Sequence, residues 1–211
     1  LILIMFSIFS RKYSAYLSFM FVLIIMGLQS GVKGDYDGYR DYFNTLSLSS
    51  NLTHGRVEVG WELLNTLFSF AGFPAFLFFI SLIQFFVLSK FVRKYVNGGY
   101  QYIAAILFFF TFSFMFLQMK AIRQGFAVEL CLAAFMFGDD KKYLSSILLA
   151  LCAFFIHNSS IILFPILLFF LLKKLNFRHN TRGSKYAKFI PAGITVIYLA
   201  VYLFKKTILN Y

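Results

Sequence analysis

The stretch Met119-Lys120-Ala121-Ile122-Arg123-Gln124-Gly125-Phe126-Ala127 places two cations where two long apolar segments meet. Residues 95–119, which precede it, contain no acid and no base, and the apolar segment that follows is interrupted only by Glu129. Arginine carries five fixed donors and a permanent charge, so Arg123 suits the recognition of phosphate or carboxylate beside a membrane. The alternative is that both cations simply extend from helix ends to the lipid headgroups.

The composition requires lipid as the main solvent of this chain. Of its 211 residues 60% are hydrophobic, 31 are Phe and only 13% are charged, more apolar side chain than a soluble domain of this size can bury. The net charge of +12 does not indicate nucleic-acid binding, because the cations fall in short loops between apolar segments. The two cysteines lie inside apolar segments, and their positions say nothing about disulfides. Because Leu1 already lies in a hydrophobic segment, we expect the chain to be a fragment.

Charged residues divide the chain into uncharged segments at 1–9, 13–32, 63–89, 95–119, 143–172 and 189–204. A nearly uncharged segment, 124–138, lies between the fourth and the fifth of these. Gly72 and Pro74 interrupt the third, which predicts a short re-entrant or interfacial helix before the true span. A single helix over 143–172 would measure roughly 45 Å, too long for one untilted span. His157-Asn158-Ser159-Ser160 offers a turn in its middle, so two short helices are predicted there.

These segments predict an all-α protein, a polytopic transmembrane helical bundle in one domain over residues 1–211. An outer-face loop is expected at about 31–60 and a basic cytoplasmic loop at about 173–188. With alternating sides, thirteen Lys and Arg residues fall inside and seven outside, which obeys the positive-inside rule. This assignment depends on dividing 143–172 in two. It brings the residues with chemical capability to the same outer face: Asp35, Tyr36, Tyr39, Glu58, Glu62, Arg123, Gln124 and His157.

Several of these residues have spacings that suit sugar chemistry. A helical turn would place Asp35 and Tyr39 on one face, and an aromatic ring beside a carboxylate fits a sugar; an ordinary solvated loop with interfacial tyrosines fits equally. Glu58 and Glu62 are also four apart and could share acid–base work, or form a polar helix face.

Two further titratable residues lie inside apolar segments. His157 could be a base, a phosphate donor or a turn residue. Glu129 is a costly intramembrane acid and therefore a candidate functional residue. The sequence shows no metal-ligand cluster, phosphate-binding glycine loop or nucleophile elbow.

Four pieces, in this order, resemble the EpsG family of Wzy-type polysaccharide polymerases. They are D-Y-x-x-Y at Asp35, Tyr36 and Tyr39, E-x-G-aromatic at Glu58, Gly60 and Trp61, R-Q-x-x-A at Arg123, Gln124 and Ala127, and H-x-S at His157 and Ser159. Each piece alone is short and weakly specific. The order of the four pieces and their placement relative to the apolar segments, taken together, are specific for the family. The likeness spans roughly residues 10–172.

The resemblance implies a membrane glycosyltransferase that polymerises lipid-linked oligosaccharide repeat units at the outer face of a bacterial plasma membrane. It implies an undecaprenyl-diphosphate-linked donor, flippase and chain-length regulator proteins as partners, no cofactor and no metal. Catalytic roles are expected for Asp35, Glu58, Arg123 and His157, and substrate binding for Tyr36, Tyr39, Trp61, Lys120, Gln124 and Ser159. Arg123 is expected to hold the diphosphate, and Asp35, then Glu58, to contact the acceptor or act as base.

Three other classes remain open from the sequence. A sugar-lipid flippase or transporter would use similar outer-leaflet cations but line a charged cavity through the membrane. A transferase similar to the O-antigen ligases, or a membrane acyltransferase, would share the lipid-facing arginine and use another acceptor. A structural or assembly subunit would keep these polar residues apart.

Overall fold

The computed structural model describes residues 13–30, 35–48, 57–111 and 119–163. This part of the chain folds into helices and contains no strand, which confirms the predicted all-α class. The α-helices are α1 (Ser14–Gly27), α2 (Tyr36–Leu48), α3 (Val59–Phe68), α4 (Phe73–Tyr95), α5 (Gln101–Phe110), α6 (Ile122–Asp139) and α7 (Tyr143–Ile156), with 3-10 segments at Gly98–Tyr100 and Asn158–Leu163. The predicted segments at 1–9 and 189–204, residues 164–172 of the segment 143–172 and the basic loop at 173–188 lie outside the described residues.

Helix α4 is the central element, since α1, α2, α3, α5 and α6 all pack against it. It begins directly after Gly72, whose φ of 82° favours glycine, and Pro74 occupies its first turn. The short helix α3 lies before this break, as the sequence predicts. Among the described helices, only α4, with 23 residues, is both long and apolar enough to cross a membrane. The polytopic arrangement therefore stays a prediction.

The helices alternate in direction around α4. At one end, Ile122 and Phe126 of α6 share a hydrophobic core with Phe76 and Leu77, near the start of α4. At the other end, Lys94 forms ion pairs with Asp139 at 3.0 Å and Asp140 at 2.7 Å, so α4 and α6 run parallel.

Helix α1 runs the opposite way. Tyr16 near its start accepts a hydrogen bond from Arg93 near the end of α4 (2.7 Å), and Gly27 at its end packs against Phe78. Helix α7 is antiparallel to α6: Ser146, near its start, donates to the carbonyl of Ala134 in the second half of α6. These directions agree with the alternation of sides that the sequence predicts.

Aromatic rings form the core beneath the predicted outer face. Phe76 packs against Phe43 of α2, Trp61 of α3 and Phe73 of α4, with ring centroids 5.2–6.3 Å apart. Such buried rings contribute large apolar areas and favourable edge-to-face geometry. This cluster fixes α2 and α3, which carry several of the predicted site residues, on the first turns of α4.

The predicted span at 95–119 begins later than its charge-free run suggests. Tyr95 is the last residue of α4, and Asn97 then forms a turn in which its side chain accepts from the Gly99 N–H at 3.4 Å. Helix α5 starts only at Gln101, and residues 112–118 lie outside the described ranges. The reason is local, because the Asn-Gly-Gly sequence favours a turn over a continuing helix.

Candidate functional site

The Glu58 carboxylate joins two of the other predicted catalytic residues. Its Oε2 accepts a hydrogen bond from Nη1 of Arg123 at 2.6 Å, and its Oε1 lies 3.0 Å from Nδ1 of His157. The same Oε1 accepts from the backbone N–H of Asn158 at 3.2 Å. Residues 65 and 99 positions apart in sequence therefore meet at one carboxylate.

Burial alone would raise the pKa of the Glu58 carboxyl. Hydrogen bonds from the backbone N–H groups of Asn158 and Glu58, together with electrostatic attraction to Arg123 and His157, outweigh it and hold the pKa of Glu58 below its ordinary value of 4.5. Glu58 is therefore ionised at neutral pH and holds its partners as a charged acceptor.

The lowered pKa of Glu58 predicts a stability contribution that depends on pH. A carboxyl whose pKa falls on folding stabilises the protein above its ordinary pKa and loses that contribution as pH drops through the folded value. Glu58→Gln should therefore reduce the free energy of unfolding by about 1–3 kcal/mol near neutral pH. The difference from wild type should shrink toward about pH 3, as measured by thermal unfolding in detergent.

The matched control for this measurement is Asp41→Asn, because Asp41 is exposed and its ion pair with Arg40 is long, at 3.8 Å. It should change stability little at either pH. An effect of Glu58→Gln that is the same at both pH values would contradict the charged network.

Gly60 allows α3 to approach α7 closely enough for the Glu58 contacts to form. A Cβ at position 60 would lie 2.7 Å from the carbonyl carbon and oxygen of Phe155 and 2.8 Å from its Cβ. No side chain fits such a gap against backbone atoms. The requirement for glycine at this position of the E-x-G piece is therefore steric. Without a side chain at position 60, Glu58, two residues earlier, can reach the end of α7.

The backbone around His157 is fixed on both sides. α7 ends at Ile156, His157 is extended (φ −155°, ψ 116°), and its N–H donates to the carbonyl of Ala153. Its own carbonyl accepts from Ser160 N–H at 3.0 Å. The break predicted at His157-Asn158-Ser159-Ser160 is thus present, and it turns the histidine side chain to Glu58.

Arg123 lies in the first turn of α6, where backbone N–H groups and the helix dipole favour anions, although its own N–H faces the Tyr39 phenol. Its side chain is 23% exposed, and besides pairing with Glu58 it lines a cavity of about 400 Å³. The residues lining this cavity are Asp35, Gly38, Tyr39, Tyr42, Val57, Trp61 and Arg123.

Asp35 reaches the cavity but not the ion cluster. It is exposed just before α2, and its carbonyl accepts from the N–H of Tyr39, so the two residues share the predicted helical turn. Within the described part of the chain Asp35 forms no ion pair. Burial raises the pKa of the Tyr39 phenol although Arg123 opposes this, so Tyr39 keeps its proton at neutral pH.

The residues expected to bind substrate fall into two groups. Tyr36 and Trp61 are core residues: Tyr36 packs on Phe73, and Trp61 is only 1% exposed although it lines the cavity. Gln124 and Ser159 are exposed beside Arg123 and His157, and Lys120 is half-buried just before α6. For Tyr36, burial means that a substrate contact would require the core to open.

Two other acids singled out in the sequence are buried within helices. Glu62 is 5% exposed in α3, and Glu129 is fully buried in α6. Because Glu62 is buried in α3, shared acid–base work, one of the two alternatives that its spacing from Glu58 left open, is not what the geometry presents. Glu58 shares its carboxylate with Arg123 and His157 instead.

The sequence pattern indicates no role for Tyr42 or Val57, and it includes Gly60 only in a family piece and Asn158 only in a turn. Tyr42 could have been found, since it follows Asp35 and Tyr39 at helical spacing. Asn158 could not, because it contributes only a backbone N–H, which every residue type except proline carries. No group of three or more His, Cys, Asp or Glu that could hold a metal ion occurs in the described ranges.

The described part of the chain is helical, and it combines one helix that is long and apolar enough to cross a membrane with the Glu58 cluster near one end of that helix. These features define a helical protein with a polar site. The chain belongs to the EpsG family, whose family model matches residues 12–211. This confirms the resemblance drawn from the four sequence pieces and associates the protein with membranes and with polysaccharide biosynthesis. Comparison with curated proteins and with solved structures returned no match.

Proposed function

We propose that this protein polymerises lipid-linked oligosaccharide repeat units by glycosyl transfer from an undecaprenyl-diphosphate-linked donor. The observation that carries the proposal is the position of Arg123, which pairs with Glu58 and also lines the cavity beside Asp35 and Tyr39. A diphosphate leaving group needs its developing charge neutralised, and the acceptor hydroxyl needs to be held and deprotonated. Both requirements can be met at this one end of α4.

Arg123 suits the diphosphate for two reasons. Glu58 accepts a hydrogen bond from Nη1, and Nε is buried, so the remaining Nη N–H groups of this partly exposed side chain are the ones proposed to bind phosphate oxygens. In addition, the first turn of α6 supplies backbone N–H groups beside it. Lys120, three residues before Arg123, adds a second positive charge. With cations neutralising the leaving group, a metal-independent reaction is expected.

The cavity suits the acceptor sugar. Its lining combines one carboxylate, two phenols and an indole, and sugars offer both hydroxyl groups and apolar C–H faces to such a surface. The volume of about 400 Å³ falls in the range typical of small-molecule sites. Asp35 is exposed within this lining and is the residue proposed to contact an acceptor hydroxyl.

The alternative classes fit the geometry less well. A structural subunit has no need to bring Glu58, Arg123 and His157 together at the ends of three separate helices. A flippase needs a charged path across the bilayer, whereas this cluster sits at one end of α4. A ligase-like transferase would share the site and differ in its acceptor, so only a reaction can separate it from a polymerase.

The proposal is tested with purified protein in lipid vesicles supplied with an undecaprenyl-diphosphate-linked repeat unit as the sole sugar substrate. A polymerase should produce a ladder of longer glycans that remain on the diphosphate lipid. A flippase would move the repeat unit across the bilayer without lengthening it, and a ligase would require another acceptor. If only single repeat units remain, the proposed reaction is wrong.

We also propose that the site faces outward from a bacterial plasma membrane, where flippase and chain-length regulator proteins would be partners. Cysteines placed by Asp37→Cys and Asn180→Cys should then react with impermeant reagents from opposite sides. The experiment uses a background in which Cys131 and Cys152 are replaced by Ala, because Cys152 is exposed. Labelling of both positions from the outside would contradict this topology, which the distribution of cations predicts.

A further inference from the structure

One ring nitrogen of His157, Nδ1, has a defined partner in the Glu58 cluster. Nδ1 lies 3.0 Å from Oε1 of Glu58, an ionised carboxylate that can only accept hydrogen bonds. In the neutral imidazole this contact places the proton on Nδ1, and Nε2 then carries the free lone pair. A histidine oriented in this way by a carboxylate is prepared to accept a proton at Nε2 and to be stabilised once it is charged.

We propose that His157 is the general base of the reaction, taking the proton of the acceptor hydroxyl at Nε2, and that Glu58 is the positioning residue that sets its tautomer. This inference rests on the proposed glycosyl transfer and adds to it the residue that moves the proton. It replaces the expectation that a carboxylate, Asp35 or Glu58, accepts that proton.

The step conserves atoms and charge. The acceptor hydroxyl transfers its proton to Nε2 of His157 while its oxygen forms a bond to the anomeric carbon of the donor. The bond from that carbon to the diphosphate oxygen breaks, and the electron pair leaves with the undecaprenyl diphosphate. Arg123 neutralises the new charge on the leaving group, and Glu58 faces the imidazolium that forms.

Glu58 itself is poorly placed to be the base. Both of its oxygens already accept hydrogen bonds, one from Arg123 and the other from His157 and the Asn158 N–H. A carboxylate held at a lowered pKa is also a weak proton acceptor. Its geometry suits a different task, since one carboxylate fixes the spacing between the proposed base and the proposed diphosphate ligand.

The surrounding structure supports a fixed histidine. Hydrogen bonds to Ala153 and from Ser160 hold the backbone of His157, and the close Gly60–Phe155 approach holds α3 against the end of α7. The side chain is nevertheless 21% exposed. It is not among the residues that line the cavity, but it shares Glu58 with Arg123, which is, so an acceptor hydroxyl at that edge of the cavity can approach it. General bases act from such positions, held rigidly but reachable.

The decisive variant is His157→Asn in the vesicle assay. The asparagine Nδ2 stands near the place of Nδ1 and can still donate to Glu58, but nothing replaces Nε2. Chain extension should fall by about 100-fold or more, since a positioned general base contributes that much. The amount of protein and its thermal midpoint should stay close to wild type. His179→Asn, in the predicted cytoplasmic loop, is the matched control and should extend chains at the wild-type rate.

Equal rates for wild type and His157→Asn would overturn the base assignment and leave the polymerase proposal intact. A wild-type protein that extends no chains would overturn both. If His157→Asn fails to accumulate, chain extension is measured instead with His157→Ala in the presence of added imidazole. Restored extension supports the base, and no restoration contradicts it. The rescue should weaken when Glu58→Gln is added, because the free imidazole then loses its positioning partner.

Discussion

Arg123→Lys is expected to slow chain extension by roughly 30- to 150-fold, because 2–3 kcal/mol of transition-state stabilisation is lost at about 1.4 kcal/mol per tenfold. Lysine keeps the charge beside Glu58 and can retain that single contact. It lacks the planar fork with which Arg123, in the proposed reaction, would donate to Glu58 and to phosphate oxygens together. Protein amount should be unchanged, and kcat/KM for the lipid-linked donor is the quantity to measure.

Arg93→Lys is the matched control for this change. Arg93 donates to Tyr16 near the other end of α4, is exposed, and lies far from the Glu58 cluster. Chain extension should not respond to its replacement. If Arg123 only reaches the headgroups, lysine does this equally well. A wild-type kcat/KM in the Arg123→Lys variant would therefore contradict the proposed role of Arg123 in the reaction.

Gly60→Ala is expected to destabilise the protein and to disable the site in one step. The new methyl would meet the Phe155 carbonyl at 2.7 Å, and backbone atoms inside a helix cannot yield to it. The stability cost should be about 1–3 kcal/mol, larger than the gain of up to about 1 kcal/mol that Ala brings to a helix. Moving α3 away from α7 also separates Glu58 from His157, and a displacement of about 1 Å can reduce a rate 100-fold.

Gly38→Ala is the control for the stability measurement, because a Cβ at Gly38 in α2 would meet nothing within 4 Å. Its thermal midpoint should be unchanged or slightly raised. If Gly60→Ala melts like Gly38→Ala, the close approach of α3 and α7 is not required. Thermal unfolding and chain extension are measured on the same preparations, so that loss of fold and loss of geometry are separated.

The site was predictable in part from sequence. The four short pieces named the residues that carry charge, and alternation of the apolar segments brought them to one end. The helical turn linking Asp35 to Tyr39 is also present. The contacts of Glu58 were not predictable: its spacing from Glu62 left shared acid–base work and a polar helix face open, whereas its side-chain contacts are Arg123 and His157. The catalytic and binding roles of these residues stay predictions that the variants above test.

The sequence by itself determined the all-α class, the break before α4 and the end of α7, because these depend on local signals. Each of these signals lies within a few neighbouring residues. The signals are the lack of charge and the helical spacing for the all-α class, Gly72 with Pro74 for the break, and a polar turn for the end of α7. The tertiary structure decided which carboxylate holds the arginine, why position 60 is glycine, and that Tyr36 and Trp61 lie in the core. Those outcomes depend on how helix faces pack across 65 to 99 positions of sequence, and no local pattern encodes that distance.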